Sequence, residues 1–328
     1  MCEKRKQRRV ASNKDEVIRR LPAACRDEQA AIEFFEWLRW GVEPACPRCG
    51  DIEVRMMKSK DGGRNRRWLW RCRGCKRQFT VRIGTIMEDS PIPLQHWAYA
   101  FWALCAGKKG CSSLQLSRMT GLSYKSALFL THRIRYAMAN EHDETAPMRG
   151  IVEADETFVG GKPRYPAGHP KRKEWSAKTP VLAVLQRDGV VRASVAQSVT
   201  SENVREMLRA NLHRDAHLMT DEQRFYDTNA RKLGLRHDTV THWAKEYVRA
   251  GDPIIHTNSI ESFWSMLKRG LNGTYHAVSK EHLHRYVSEF QFRHNTRNLM
   301  DGERVVQAIG GTDGRRLCYR EPESDRAA

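Results

Sequence analysis

The chain has 328 residues, 29% charged and 40% hydrophobic, the balance of a globular protein large enough for two or three small domains. No run approaches the roughly 20 apolar residues that cross a bilayer, and no apolar segment follows the basic start MCEKRKQRRV, so neither a membrane partner nor a secretory signal is expected and the cytoplasm, with its nucleoid, is the expected compartment. The net charge of +18 is uneven: residues 1–140 carry 28 Lys+Arg against 13 Asp+Glu (+15) and residues 141–328 carry 29 against 26 (+3), which directs the N-terminal part towards a polyanion such as nucleic acid.

Residues 1–20 are polar and basic and read as a flexible arm. The next stretch, DEQAAIEFFEWLRWG (27–41), spaces Ala31, Phe34, Phe35, Leu38 and Trp40 as an amphipathic helix that Gly41 ends. It leads into Cys46, Cys49, Cys72 and Cys75, a C-x2-C, x22, C-x2-C array in the knuckles CPRCG and CRGCK. Each pair can clamp one side of a tetrahedral Zn²⁺, and four thiolates close the site, so the zinc is expected to be structural. The spacer is long enough for a hairpin, and RQFTVRIGT alternates like a strand. Nine cysteines, an odd number, argue against a disulfide framework, and the other five read as ordinary thiols. Arg64, Arg66, Arg67, Arg71, Arg73, Lys76 and Arg77, interleaved with Trp68 and Trp70, make this module a candidate DNA contact.

Residues 93–106 read as a buried helix, and 113–138 as helix, turn and helix, with Gly121 at the turn. The second helix is expected to expose Lys125, His132, Arg133 and Arg135 and to bury Leu128, Phe129, Ile134 and Met138. Such a helix can lie in a major groove, although any packed helix pair has the same pattern. On the DNA reading, residues 123–126 meet bases while Arg133 and Arg135 hold phosphates.

From residue 149 the pattern changes to alternating strands and helices. IVEADETFVGG is a strand, and a basic loop follows it. PVLAVLQRDG and VVRASVAQSV form a hairpin across Arg-Asp-Gly. Residues 201–213 are helical, AHLMTD is a strand, EQRFYDTNARKLG is a helix closed by Gly234, and HDTVTHW is a further strand. Two helices, NSIESFWSMLKRGL and SKEHLHRYVSEFQFRHNTR, close the region, and 310–328 look frayed.

Three acids in this part are spaced for metal chemistry. Asp155 sits mid-strand, where a carboxylate must face a metal, a cation or solvent; Glu153 shares its face and Glu156 points the other way. Asp221 ends a strand, and Glu261 opens a helix on which Asn258, Glu261, Ser265 and Lys268 share one face beside an apolar one. Phosphoryl transfer by two Mg²⁺ needs several convergent oxygen ligands, one ion serving the attacking oxygen and the other the leaving one. Among 39 acidic residues, spacing alone is weak evidence for such a site.

The context is more specific. The phrases CPRCG and CRGCKRQF, VEADETFVGGK, MTDEQRFY and HTNSIESFWSMLKRGLNGTYHAVSKEHLHRYVSEFQFRHNTR resemble those of IS1595-type (ISXO2-like) insertion-sequence transposases over nearly the whole chain. The resemblance implies an α/β fold: an RNase H-like catalytic core, a mixed five-stranded sheet with flanking helices, preceded by a zinc ribbon and a helix-turn-helix. It implies a D-D-E metal triad of Asp155, Asp221 and Glu261 that binds Mg²⁺ or Mn²⁺, with Lys268 on a DNA phosphate. Glu261 is preferred as third ligand because Lys268 follows seven residues later; Asn258 is the fallback. Asp227 and Asp252 are weaker stand-ins for Asp221, and His256, His276 and His282 are secondary candidates for DNA contact or proton transfer.

The expected domains are a basic arm with a short helix (1–43), a zinc ribbon (44–83), a helix-turn-helix-like DNA-binding domain (84–148), a catalytic domain (149–300) and a tail (301–328). The expected activity is 3′-end cleavage at terminal inverted repeats and strand transfer into target DNA, by a homodimer or higher oligomer that holds two ends. The alternatives are a DNA-binding regulator without catalysis, a nuclease that cuts but does not join, and a decayed, inactive copy.

Overall fold

The computed structural model describes residues 14–139, 146–160, 168, 178–244 and 246–317. The start of the basic arm, most of the basic loop after IVEADETFVGG, and Cys318 with the residues beyond it lie outside them. The chain forms two compact units, one of residues 1–138 with 299–328 and one of residues 139–298.

In the first unit, helix α1 (Lys14–Ala24) begins where the sequence reads as a flexible arm. Val17, Leu21 and Ala24, at i, i+4 and i+7, are a short apolar stripe among charges, and all three are buried. Helix α2 (Glu28–Trp40) falls on the expected segment. Asp27 caps it by accepting the Ala30 N–H at 2.8 Å, and Gly41, at φ 65°, ends it. Helix α3 (Leu94–Ala106) buries Trp97, Ala98, Phe101 and Leu104.

The ribbon is the antiparallel sheet β1 (Val54–Met56), β2 (Trp70–Cys72) and β3 (Gln78–Phe79). The strand expected over RQFTVRIGT stops at Phe79. Its continuation satisfies backbone groups through a side chain instead: Arg39 Nη1 donates to the carbonyls of Val81 and Ile83, each at 2.7 Å.

The helix pair is present as α4 (Ser113–Thr120) and α5 (Tyr124–Met138), with Gly121 in the left-handed region between them. The expected exposed face of α5 is corrected. His132, Arg133 and Arg135 are buried, while Lys125 is exposed. Arg133 donates to the carbonyls of Ile86 at 2.6 Å and Glu88 at 3.0 Å, so its charge is spent inside the unit. Helix α10 (Asp301–Gly310) belongs to this unit too, and Arg304 donates to the Cys105 carbonyl at 3.1 Å. Part of the segment read as a tail is therefore core, with Val305, Ala308 and Ile309 buried.

The second unit is built on a five-stranded sheet of order β6-β5-β4-β7-β8. Its strands are β4 (Ile151–Val159), β5 (Thr179–Gln186), β6 (Val191–Val195), β7 (His217–Thr220) and β8 (Arg236–Thr239). β4–β5 and β5–β6 are antiparallel; β4–β7 and β7–β8 are parallel. Alternation along β5 builds both faces. Leu182 and Val184 pack with Val204 and Leu208 of α6 (Ser201–Asn211) and Tyr226 of α7 (Arg224–Leu233). Val181, Ala183 and Leu185 pack with Phe263 and Trp264 of α8 (Asn258–Gly270) and Phe290 of α9 (Leu283–Asn295). Helices therefore cover both sides of a mixed sheet, as the sequence predicts.

Candidate functional site: a cysteine cage and a buried acid cluster

The two cysteine knuckles bring four sulfurs together. All four Sγ atoms lie within 4.8 Å of one another, with Cys46–Cys75 at 3.7 Å and Cys49–Cys72 at 3.6 Å. A tetrahedral site with Zn–S bonds of about 2.3 Å places its sulfurs about 3.8 Å apart, so the cage fits zinc. Asp51 ties one knuckle to the other by accepting the Gly74 N–H at 2.8 Å, and a side chain at Gly74 would meet that carboxylate oxygen. Without a metal the thiols of the cage diverge: the Arg77 backbone N–H draws Cys75 down to about 7, while burial pushes Cys72 up to about 12 and also raises Cys46, so the fit to zinc rests on the sulfur geometry.

The basic residues of this module divide. Arg66, Arg67, Arg73, Lys76 and Arg77 are exposed and Arg71 is half-buried. Arg64 turns inward, where it pairs with Glu36, which also accepts the Trp70 indole N–H at 2.8 Å, and it stacks over Trp68 with its guanidinium 4.4 Å from the ring centre. Its charge serves the ribbon's own packing rather than a free surface.

The acids lie in the second unit. β4 and β7 run parallel with Glu153 opposite Met219, and Asp155 and Asp221 each follow two residues later. Asp155 accepts the Trp264 indole N–H at 2.9 Å and the Glu156 backbone N–H at 2.8 Å. Burial, reinforced by the Glu156 and Asp221 charges, pushes the Asp155 carboxyl up to about 7. Burial also raises Asp221, with Glu222 adding to the rise and His242 opposing it. Glu156 points to the opposite face, as predicted, and accepts the Tyr226 hydroxyl at 2.9 Å; burial and the Asp221 charge raise it as well.

Glu261 sits on the first turn of α8, over the expected apolar face of Ile260, Phe263, Trp264 and Leu267. One of its oxygens lies 3.1 Å from the Thr257 hydroxyl and 3.1 Å from His242 Nε2. His242 thus links the Asp221 side of the cluster to Glu261. Asn258 and Lys268 are exposed on α8. Asp155, Asp221 and Glu261 are not gathered as closely as the cysteines, the group among the described residues whose ligand atoms all lie within 4.8 Å of one another. Asp227 is half-buried and bound to Arg231, and Asp252 accepts the Ile254 N–H at 3.1 Å; these contacts tie both stand-ins to neighbours outside the cluster. His256 lies 3.0 Å from Arg187 and is half-buried, whereas His276 and His282 are exposed.

Several residues at the site escape the sequence reading. Trp264 is legible only as core, Glu222 stands beside Asp221 in MTDEQRFY with nothing to mark its role, and His242 lies in a segment without a motif. Glu222 accepts the His242 N–H at 2.9 Å and the Trp243 N–H at 3.4 Å, which holds the turn beside Asp221.

Two family profiles match separate parts of the chain. The ISXO2-like transposase domain matches residues 147–295 and the transposase zinc-ribbon domain of the same family matches residues 26–78. A protein of Halobacterium salinarum, described as an uncharacterized protein in transposable element ISH50, is 27% identical over 279 residues, covering 81% of this chain and 90% of that one. Among solved structures, the Mos1 strand transfer complex aligns at 16% identity and a TM-score of 0.28, covering 64% of this chain and 72% of that one. A pre-cleavage Mos1 transpososome aligns at 14% and 0.27, covering 67% and 79%. Superpositions that loose decide nothing about this chain.

Proposed function

We propose that this chain, which belongs to the IS1595 family of insertion-sequence transposases, binds the terminal inverted repeats of an insertion sequence, cuts at their 3′ ends and joins the freed ends to target DNA. The observation that carries this reading is the placement of Asp155 on β4 and of Asp221 just past the end of the parallel neighbour β7, both acids raised by burial and each feeling the other's charge or that of an adjacent glutamate. Packing carboxylates together in a poorly solvated place is costly unless a cation compensates them. An all-oxygen donor set suits Mg²⁺ or Mn²⁺.

Asp155, Asp221 and Glu261 would hold the ions, with Asn258 as the fallback third ligand. When bound, the divalent ions supply the positive charge that an in-line displacement at phosphorus requires. The chain's own side chains orient the ligands. Trp264 fixes the Asp155 carboxylate, and Thr257 with His242 fixes Glu261. Lys268, exposed two turns beyond Glu261, is placed to hold a DNA phosphate. The reading requires no covalent link between protein and DNA, so no Ser or Tyr nucleophile is invoked.

The zinc ribbon and helix pair would grip DNA through Arg66, Arg67, Arg71, Arg73, Lys76, Arg77 and Lys125. Holding two transposon ends together calls for at least two protomers. Among the described residues no helix is long and apolar enough to cross a membrane.

Strand transfer by the purified protein tests this, with a labelled transposon-end duplex, a plasmid target and Mg²⁺ or Mn²⁺. Wild type should give joined product, and Asp155→Asn and Glu261→Gln should give none while still binding the end. Joining that survives Glu261→Gln but not Asn258→Ala would transfer the third-ligand role to Asn258. Cleavage without joining would indicate a nuclease. End binding without any product from wild type would leave a DNA-binding regulator or an inactive copy.

A further inference from the structure

Glu153, the third residue of the central strand β4, is a carboxylate with a side-chain exposure of 0%, and both of its oxygens are engaged within the unit. Oε2 accepts the backbone N–H of Ile260 at 2.8 Å, in the first turn of α8. Oε1 accepts the Arg187 Nε–H at 2.6 Å. Arg187, from the β5–β6 turn, then reaches the segment before the same helix. It donates to the Ile254 carbonyl at 2.6 Å and to the His256 carbonyl at 2.7 Å, and it lies 3.0 Å from His256 Nδ1.

The first turn of a helix presents N–H groups with no intrahelical partner, usually satisfied by the residue just before it. Thr257 occupies that position but makes no side-chain cap. Its hydroxyl is turned instead to Glu261 and His242. Glu153 supplies the missing acceptor from 107 residues away, and its negative charge suits the positive end of the helix dipole. Because it is wholly buried it also needs a cation, which Arg187 provides.

We propose that Glu153 and Arg187 are positioning residues, a clasp that fixes the first turn of α8, and with it Glu261 and Asn258, against the strand that bears Asp155. The inference rests on the acid cluster being the reacting centre, and it holds whichever of Glu261 and Asn258 is the third ligand, since both ride on that turn. Ligands of such a centre must be held within about 0.5 Å, and a displacement of about 1 Å can cost about 100-fold in rate.

The test uses the full zinc-loaded chain and reads cleavage of a transposon-end duplex, affinity for that duplex, and amide hydrogen exchange. Glu153→Ala should lower the cleavage rate constant about 100-fold with end affinity unchanged. Exchange should accelerate about tenfold or more at residues 254–261 and stay as in wild type over the rest of the sheet. Glu153→Gln, which keeps an acceptor for Ile260, should fall between. The pair Glu153→Gln with Arg187→Met leaves no lone buried charge, so it should recover thermal stability but not rate.

A wild-type rate in Glu153→Ala, exchange accelerated evenly over residues 151–295, or a double variant that recovers both stability and rate would each overturn the clasp. A wild type that never cuts, with the local exchange response intact, would sink the transposase reading and leave the clasp standing as what holds this helix.

Discussion

The indole N–H of Trp264 donates to the Asp155 carboxylate at 2.9 Å, so the helix that presents Glu261 also touches the first acid of the cluster. Trp264→Phe keeps most of the packing and deletes the donor. The fold should lose about 0.5–1.5 kcal/mol, or more because the acceptor is a carboxylate. Asp155 should become harder still to ionise, and cleavage at neutral pH should fall more than at pH 8.5. A pH–rate profile of the two proteins checks this, and superimposable profiles would refute it.

Asp155 also makes stability depend on pH. Its folded-state value of about 7 lies above the 3.8 of an unperturbed aspartate, so the folded chain binds this proton more tightly than the unfolded one. Without divalent ions, its contribution is complete below about pH 4 and is lost as pH rises towards 7, at most about 4 kcal/mol. Asp155→Asn should remove that loss, so the difference in Tm between variant and wild type should grow from pH 4 to pH 8. Mn²⁺ should stabilise wild type more at pH 8 than at pH 5 and Asp155→Asn little at either. Melting curves with and without Mn²⁺ decide it.

The cysteine cage predicts one zinc per chain, held by Cys46, Cys49, Cys72 and Cys75. Cys72→Ser or a strong chelator should release it and unfold the ribbon, because a structural zinc site contributes its binding energy directly to folding. The acid cluster does not involve these thiols and should still bind Mn²⁺. Metal analysis beside exchange mapping of residues 44–83 tests the separation.

Arginines of similar appearance in the sequence should behave differently. Arg66 and Arg67 are exposed, so changing both to Ala should weaken end binding and flatten its salt dependence with little effect on Tm. Arg133→Ala removes a buried donor from two carbonyls and should lower Tm markedly. Equal effects on DNA binding at matched stability would return Arg133 to the DNA surface.

Gly270, the last residue of α8, packs against Phe290 of α9. An added Cβ would stand 2.0 Å from Phe290 Cζ, and Phe290 is fully buried, so Gly270→Ala should cost about 1–3 kcal/mol. Gly273, which has nothing within 4 Å of an added Cβ, is the matched control and should tolerate Ala. Urea denaturation of both variants is the measurement.

What the sequence determines by itself is what short-range chemistry encodes. The cysteine knuckles are legible because each is a turn of four residues. The strands and helices of the second unit are legible because their apolar periods are regular, and Gly121 and Gly234 mark a turn and a helix end by backbone freedom alone. The apolar pattern marks Asp155, Asp221 and Glu261 only as charges in apolar surroundings, and the family resemblance of the phrases around them is what singles them out among 39 acidic residues.

The tertiary structure decides what each charge does. Arg64, Arg133 and Arg135 look like solvent-facing cations until neighbours from other elements enclose them. The stripe of Val17, Leu21 and Ala24 is too short to outweigh the charges around it until the rest of its unit covers it. Glu153 and Glu156 are equal as letters in VEADET, yet one caps a distant helix and the other meets Tyr226. That difference lies in partners 34, 70 and 107 residues away, brought within hydrogen-bond distance only by the folded sheet.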